Sequence, residues 1–539
     1  RHSVLINLRF PGIMFPVCIQ RRNDSYMTIK RALISVSDKT GVVEFAKGLH
    51  ELGVEIISTG GTLKTIAAAG IPVIPVSEVT GFPEMMDGRV KTLHPKIHGG
   101  ILAIRDNPEH VKAMKERGIT GIDLVAVNLY PFRETIARPD VTLAEAIENI
   151  DIGGPSMVRA AAKNYKYVTI VVDPKQYDEI LERIKTDTLT EEFRLDLSRK
   201  AFLHTGLYDC AIADYLTRQV TGDEGQMPDV YCKAYTKLQD LRYGENPHQK
   251  AAFYRDPEAK GGIAFARQLH GKALSYNNIV DMEAAWNLAH EWSDRPSCVI
   301  VKHTNPCGTA LGDTPLEAFQ RAFEADSKSA FGGIVAFNRE LDGETAAAMK
   351  PIFFEVVMAP KISQEALDIL GTKKNIRLME VPEVETEELQ LRKVSGGLLV
   401  QTPDDSSETR ADCKVVTDRA PTAEEWQAME FAWKVVKHVK SNAIVLTGKD
   451  VTYGIGAGQM NRVGSADIAI AEAGDKCKGA ALASDAFFPF GDTVEAAGKA
   501  GITCVIQPGG SIRDQESIDM ANKYGITMVF TGHRHFRHC

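Results

Sequence analysis

The sequence predicts an α/β fold in which parallel strands are joined by right-handed helical crossovers. Short β-branched apolar runs recur at Leu124–Leu129 and Val168–Val172, as in strands buried on both faces. Stretches of helical period alternate with such runs, and Gly-, Ser- and Pro-bearing turns separate them. At 539 residues the chain exceeds one core, so two or three domains are expected.

Taken in order, Ala32–Ser37 reads as a strand, Gly41–Leu52 as an amphipathic helix, Val54–Ser58 as a strand and Thr62–Ala69 as a helix. A long helical stretch at Thr190–Thr217 closes this region, and the polar Thr221–Pro228 reads as a linker. The second half offers strands at Cys298–Val301, Ile334–Phe337, Ile444–Leu446, Cys504–Ile506 and Thr527–Phe530. Gly501-Ile-Thr and Gly525-Ile-Thr mark two helix-to-strand junctions, and no convincing short repeat is visible. The acidic, Thr/Ser-rich zone from Glu383 to Thr409 divides this half into two sub-domains or marks a long insertion. Residues 1–26 read as a disordered extension, with Met27 a plausible start and targeting the less favoured reading.

Hydrophobic residues at 44% and charged residues at 25% are ordinary for a soluble globular chain, which excludes collagen-like, disordered and membrane classes. A net charge of −8 argues against nucleic acid, yet leaves room for local cations that bind small anions. Nine cysteines, an odd number without a Cys-x-x-Cys pair, signal neither a disulfide framework nor a zinc cage. A reducing, cytoplasmic compartment is expected.

Four loops of the first half share one chemistry. Ser58-Thr59-Gly60-Gly61-Thr62 joins a strand to a helix, where backbone N–H groups and the helix N-terminus favour an anion. It is not a Walker A loop, because no Gly-Lys-Ser/Thr follows. Gly88-Arg89-Val90-Lys91-Thr92-Leu93-His94-Pro95 is rich in cations, and alternation puts Arg89 and Lys91 on one side of an extended segment. Asn128-Leu129-Tyr130-Pro131 follows a buried strand, where α/β sheets bind ligands. Asp151-Ile152-Gly153-Gly154-Pro155 leads into a helix with Arg159 and Lys163 at i,i+4, a pairing that an anion would relieve. Each alone also reads as an ordinary turn or solvated loop. Together they favour one phosphate-ligand pocket.

A second cluster lies further on. Arg242-Tyr243-Gly244-Glu245-Asn246-Pro247-His248-Gln249 contains almost nothing that builds a core. Lys302-His303-Thr304-Asn305-Pro306-Cys307-Gly308 leaves a buried strand toward what reads as a Pro-Cys-Gly turn. An imidazole titrates near neutrality in water, as a general base requires, and Lys302 is a proton donor or acceptor beside it. A zinc deaminase needs His-x-Glu and Pro-Cys-x-x-Cys; this chain lacks that Glu and the second Cys, so zinc is not expected. Lys440-Ser441-Asn442, Gly454–Gln459 and Ser484–Phe490 read as further polar or glycine-rich loops. The ending Arg534-His535-Phe536-Arg537-His538 is expected to be docked, because a strand immediately precedes it.

These motifs, in this order, resemble the AICAR transformylase/IMP cyclohydrolase family. Ser35-Val36-Ser37-Asp38-Lys39, Gly88–Pro95, Asp151–Gly154, Arg242–Gln249, Lys302–Gly308, Ser484–Phe490 and Arg534–His538 carry the resemblance, over about Met27 to His538. It implies a methylglyoxal-synthase-like cyclohydrolase domain over residues 27–225. Residues 226–539 would form a transformylase of two cytidine-deaminase-like sub-domains without zinc. Formyl transfer from the co-substrate 10-formyltetrahydrofolate to AICAR would give FAICAR, and cyclisation with loss of water would give IMP, with no metal required. The resemblance implies catalytic roles for Lys302, His303 and Asn442 in transfer, and for Lys91, Tyr130, Asp151 and Lys163 in closure. Ser35, Ser37, Lys39, Ser58, Thr59, Gly61, Arg89, Thr92, Asn128 and Gly153 would bind the first site's nucleotide. Arg242, Tyr243, Asn278, Phe488 and Arg534 would bind at the second, in a cytoplasmic homodimer sharing transformylase sites and binding neither nucleic acid nor membrane. The alternatives, a phosphate-sensing module or a methylglyoxal-synthase-like lyase, leave the second half without a role.

Overall fold

The computed structural model describes residues 28–86, 88–221, 227–383 and 389–538. The expected extension, the middle of the expected linker (222–226), part of the acidic zone (384–388) and Cys539 lie outside the described residues. Two compact units divide between Ala234 and Tyr235.

In the first unit, β1 (Arg31–Ser35), β2 (Glu55–Ser58), β3 (Ile74–Pro75), β4 (Leu124–Val127) and β5 (Thr169–Val171) form one parallel sheet ordered β3-β2-β1-β4-β5. Their apolar runs are continuous because helices cover both faces, leaving Leu33, Ile57, Leu124 and Val125 fully buried. Helix Glu191–Thr221 extends past the expected Thr217. Chain order reverses between β1 and β4, and such a reversal opens a ligand crevice at the strands' carboxyl ends.

The second unit holds two six-stranded mixed sheets. One is built from β8 (Arg267–His270), β9 (Ser297–Lys302), β10 (Asn305–Leu311), β11 (Ile334–Phe337), β12 (Val356–Ala359) and β13 (Arg377–Glu380), in the order β10-β9-β11-β12-β13-β8. Before it, β6 (Thr236–Leu241) and β7 (Ala251–Arg255) form a hairpin; after it, β14 (Gln390–Val394) and β15 (Gly397–Gln401) form another, inside the acidic zone. The other sheet contains β16 (Lys414–Val415), β17 (Ile444–Thr447), β18 (Thr452–Gly456), β19 (Ala481–Ser484), β20 (Cys504–Gln507) and β21 (Thr527–Phe530), in the order β18-β17-β19-β20-β21-β16. Outward from β10 and from β18 the pairings are the same: two antiparallel, two parallel, one antiparallel. The repeat is one of topology, which is why no short sequence repeat marks it.

Alternation along each strand divides its residues between cores. Val299 and Val301 of β9 and Val445 of β17 face a shared core with helices Tyr276–Ala289 and Ala423–Val436, while Ile300 and Ile444 face outer cores. Two expected loops prove to be strand. Pro306-Cys307-Gly308 lies on β10, where a methyl on Gly308 would fall 2.0 Å from Ala322 O of helix Pro315–Ala325. Gly454-Ile455-Gly456 lies on β18, equally close to helix Arg462–Ala473. In both places glycine admits a helix against a strand. Among the described residues no helix is long and apolar enough to cross a membrane.

Candidate active sites

In the first unit, β2, β1 and β4 deliver loops to one edge of the sheet. Thr62 Oγ1 accepts from Val36 N–H at 3.0 Å and donates to Val36 O at 2.9 Å, fastening the β1 loop to helix Gly60–Ala68. Asn128 braces it from the other side: Oδ1 accepts from the Ser37 and Asp38 N–H groups at 2.6 and 2.9 Å, and Nδ2 donates to Asp38 O at 2.9 Å. Two ammonium groups stand over the resulting corner. A methyl on Gly60 would lie 3.5 Å from Lys91 Nζ, and one on Gly61 would lie 3.6 Å from Lys39 Nζ. Lys91 also pairs with Glu84 at 3.3 Å. Positive charge and helix N-terminal N–H groups meeting at one point form an anion seat.

Beside it, Asp151 Oδ1 accepts from Gly154 N–H at 2.8 Å, and the Tyr130 N–H bonds the same carboxylate. Burial pushes the Asp151 carboxyl above the usual aspartate range, against the pull of those two N–H groups. Thr92 Oγ1 would lie 3.0 Å from a methyl on Gly153, so the Gly88–Pro95 loop touches the Asp151 turn. Tyr130 is half exposed. Arg89 is exposed and paired with Glu148 at 3.1 Å.

In the second unit, His303 and Thr304 form the two-residue turn between β9 and β10, with φ of 55° and 64°. Glycine and asparagine favour that left-handed turn; other residues persist there only where surroundings impose it. Here Asp281 of helix Tyr276–Ala289 imposes it: Oδ1 accepts from Thr304 N–H at 2.7 Å, and His303 N–H bonds the same carboxyl. Burial raises the Asp281 carboxyl above its usual range, opposed by the Thr304 N–H and the nearby His303 imidazole. The backbone is therefore pinned while the His303 side chain faces solvent. Lys302 Nζ donates to Phe331 O at 3.1 Å, and Asn305 Oδ1 accepts from Lys440 N–H at 3.1 Å. The second contact brings the Lys440–Asn442 loop to the His303 turn.

A buried polar knot fixes that loop. Asn442 Nδ2 donates to Gln459 O at 2.8 Å, and Asn442 Oδ1 accepts from Arg462 Nη2 at 2.7 Å. Arg462 also donates to Ser484 Oγ at 2.9 Å and pairs with Asp485, whose other oxygen accepts from Ser441 Oγ. The C-terminal segment joins in, as expected of a docked tail. Ser441 N–H donates to Arg537 O at 2.9 Å, and His535 N–H to Asp485 O at 2.9 Å. Arg534 and Arg242 are exposed, with guanidinium groups 4.6 Å over Phe536 and 5.6 Å from the Tyr243 ring. No group of three or more His, Cys, Asp or Glu among the described residues is arranged to hold a metal ion.

Comparison with known proteins agrees with this layout. The family described as "AICARFT/IMPCHase bienzyme" matches residues 161–472, and "MGS-like domain" matches residues 41–156. The "Bifunctional purine biosynthesis protein PurH" of Bacillus mycoides (strain KBAB4) is 59% identical over 513 residues, 94% of this chain and 100% of its own. The protein of the same name from Bacillus cereus (strain B4264) is 58% identical over the same shares. The chain belongs to the AICARFT/IMPCHase bienzyme family. Membership makes it a purine-biosynthesis enzyme with both AICAR formyltransferase and IMP cyclohydrolase activity. The sensing and lyase alternatives fall, because the relatives match both halves. A solved structure, "Crystal structure of ForH", is 37% identical over 35% of this chain and 96% of its own, with a TM-score of 0.33 that carries no argument about fold.

Several of the expected site residues have local structural roles. Ser58 is fully buried and its hydroxyl donates to Ile34 O at 2.6 Å, tying two strands together. Asn128 is spent on the β1 loop. Asn278 caps its own helix, exchanging hydrogen bonds with Ser275, and is buried. Phe488 is fully buried in the outer core with Ile444 and Leu446; its neighbours Phe487 and Phe490 are the exposed aromatics. Lys163 is the last residue of helix Gly153–Lys163, whose first turn follows Asp151. Arg159, expected to share an anion with it, is stacked 5.4 Å from Phe202. The sequence reading missed Asp281 and Arg462. Asp281 sits mid-helix without a motif, whereas Asn461, a helix N-cap immediately before Arg462, was the available signal.

Proposed function

We propose that the first unit closes FAICAR to IMP at the β2–β1–β4 edge and that the second transfers the formyl group around His303. The observation that carries the reading is Lys302-His303 at a turn whose backbone Asp281 holds in a left-handed conformation. The AICAR amine is conjugated to its imidazole carboxamide and nucleophilic only as it loses a proton. As its nitrogen attacks the formyl carbon of 10-formyltetrahydrofolate, His303 takes that proton. Lys302, held at the Phe331 carbonyl, would stabilise the oxyanion or protonate the departing folate nitrogen. A positioned base supplies about 10²–10⁴-fold, and orientation must supply much of the rest.

In the first unit the carboxamide nitrogen attacks a formyl carbon on the same molecule, so folding the substrate and moving protons suffice. The Lys39–Lys91 corner would seat the phosphate, with Ser35, Ser37, Thr59, Gly61, Arg89, Thr92 and Gly153 around it. Lys91 and Tyr130 would face the developing oxyanion, and Asp151 would carry the proton released as water leaves. Arg242 and Arg534, both exposed, would grip one substrate phosphate from two subunits of a cytoplasmic homodimer. The chain is to be incubated with AICAR and 10-formyltetrahydrofolate while tetrahydrofolate and IMP are followed together. His303→Ala should lose formyl transfer and keep FAICAR closure; transfer at the unmodified rate would remove His303 as the base.

A further inference from the structure

We propose that Cys210 and Cys232 form a reversible disulfide, a redox modification site on the first unit. Cys210 lies on helix Glu191–Thr221, and Cys232 lies in the segment leading to Tyr235. Their Sγ atoms are 2.8 Å apart although 22 positions separate them in sequence. A disulfide bond is about 2.0 Å long, so closure needs less than 1 Å of further approach.

Exposure makes this pair selective. Among the described cysteines Cys232 is the exposed one and has Cys210 against it, whereas Cys307 and Cys413 are half-buried and Cys298, Cys477 and Cys504 buried. Burial pushes the Cys307 and Cys504 thiols up to about 12, which suppresses the reactive thiolate. Cys210 is pushed up to about 11, first by the hydrogen bond it makes to Cys232 and then by burial, while Arg133 pulls it down. Cys210 therefore keeps its proton while Cys232 is unmodified, and Cys232 is the sulfur that meets an oxidant.

The oxidant required is a small-molecule disulfide such as oxidised glutathione. The Cys232 thiolate attacks one of its sulfurs and displaces one glutathione thiolate. Capping Cys232 removes the hydrogen bond that held the Cys210 proton. Cys210 then loses that proton to water and attacks Cys232 Sγ, displacing the second glutathione thiolate. Two protein thiols lose two electrons, the reagent disulfide gains them, and the two cysteine protons end on the two glutathione thiols. The new bond closes a loop from helix Glu191–Thr221 to the segment before the second unit.

The full chain is to be incubated with oxidised glutathione, alkylated, digested without reductant and analysed by mass spectrometry. A linked Cys210–Cys232 peptide pair is expected, lighter by two hydrogens than the reduced pair, reversed by dithiothreitol and absent from Cys232→Ser. Cys210→Ser should instead retain glutathione on Cys232, because the resolving sulfur is gone. Stable glutathione on Cys232 of the unmodified chain with Cys210 alkylated, or a Cys232–Cys232 link between two chains, overturns the proposal.

Discussion

The imidazole of His535 lies between two carboxylates, with Nε2 3.1 Å from Glu408 Oε2 and Nδ1 2.7 Å from Asp404 Oδ2, and only 1% of the residue is exposed. Neither carboxylate oxygen donates, so both ring nitrogens must, and the ring is an imidazolium. Burial opposes that charge, but the hydrogen bonds and charges of Asp404 and Glu408 outweigh it and raise the pKa above the ordinary histidine value. Burial would raise Glu408, yet Ser406, Trp433 and His535 hold its carboxyl down to about 2. Arg534 is the adjacent residue, so this clamp governs where the tail presents its guanidinium.

A pH dependence of tail docking follows. The His535 contribution is complete below about 6.5, the unfolded value, and is lost as pH rises through the raised folded value. The Glu408 contribution is complete above about 4.5 and is lost as pH falls through about 2. The tail is therefore held best between those two unfolded values. Hydrogen exchange of residues 531–538, corrected for intrinsic rates, should show protection falling as pH rises above about 6.5. In His535→Gln, protection should be low and flat; a clamp indifferent to this pH range would leave both proteins alike.

The architecture was legible because its causes are local. Ile334–Phe337 reads as a strand from four apolar residues, and each of its faces meets a core. Pro306-Cys307-Gly308 misled, since Pro and Gly usually punctuate. Here Pro306 is tolerated on the last strand of its sheet, and Gly308 answers the helix that follows it, Pro315–Ala325. The site was legible as loops, less so as roles. Asn128 and Asn278 look alike in sequence whether they face a substrate or a backbone amide, and only the fold shows that both brace the backbone. Asp281 was invisible because its partners, His303 and Thr304, come from another element.

Gly154→Ala should separate the two activities. A methyl there would lie 2.3 Å from Asp151 Oδ2 and 2.9 Å from Leu129 Cδ2, so the carboxyl must leave its place. Helix propensity alone favours alanine over glycine by about 1 kcal/mol. Stability should therefore change little, while FAICAR closure falls by about 10²-fold or more, the loss expected of a displaced proton carrier. Formyl transfer, followed by tetrahydrofolate release, should be unchanged.

Asp281→Asn tests whether charge or geometry matters at the His303 turn. Asparagine keeps an oxygen to accept from Thr304 N–H but removes the negative charge facing the imidazole. That charge would offset the proton His303 takes up as the amine attacks, so its removal should lower formyl transfer on the order of tenfold. The loss should appear in kcat, with KM for AICAR little changed. A rise in KM alone would make Asp281 a scaffold for binding only.

The first unit should fold and work alone. Every residue of its core lies between Ile29 and Ala211, and all five strands of its sheet come from this stretch. Each brace of the anion corner, from Thr62 to Val36 and from Asn128 to Ser37 and Asp38, is internal to it. The Asp151 turn is likewise held from within, since Asp151 N–H donates to Tyr208 OH at 2.8 Å. A fragment of residues 28–234 should therefore unfold cooperatively and convert FAICAR to IMP at a rate comparable to the full chain. A folded fragment, verified by circular dichroism, that binds IMP but leaves FAICAR unchanged would move closure out of this unit and leave the anion corner as a binding site alone.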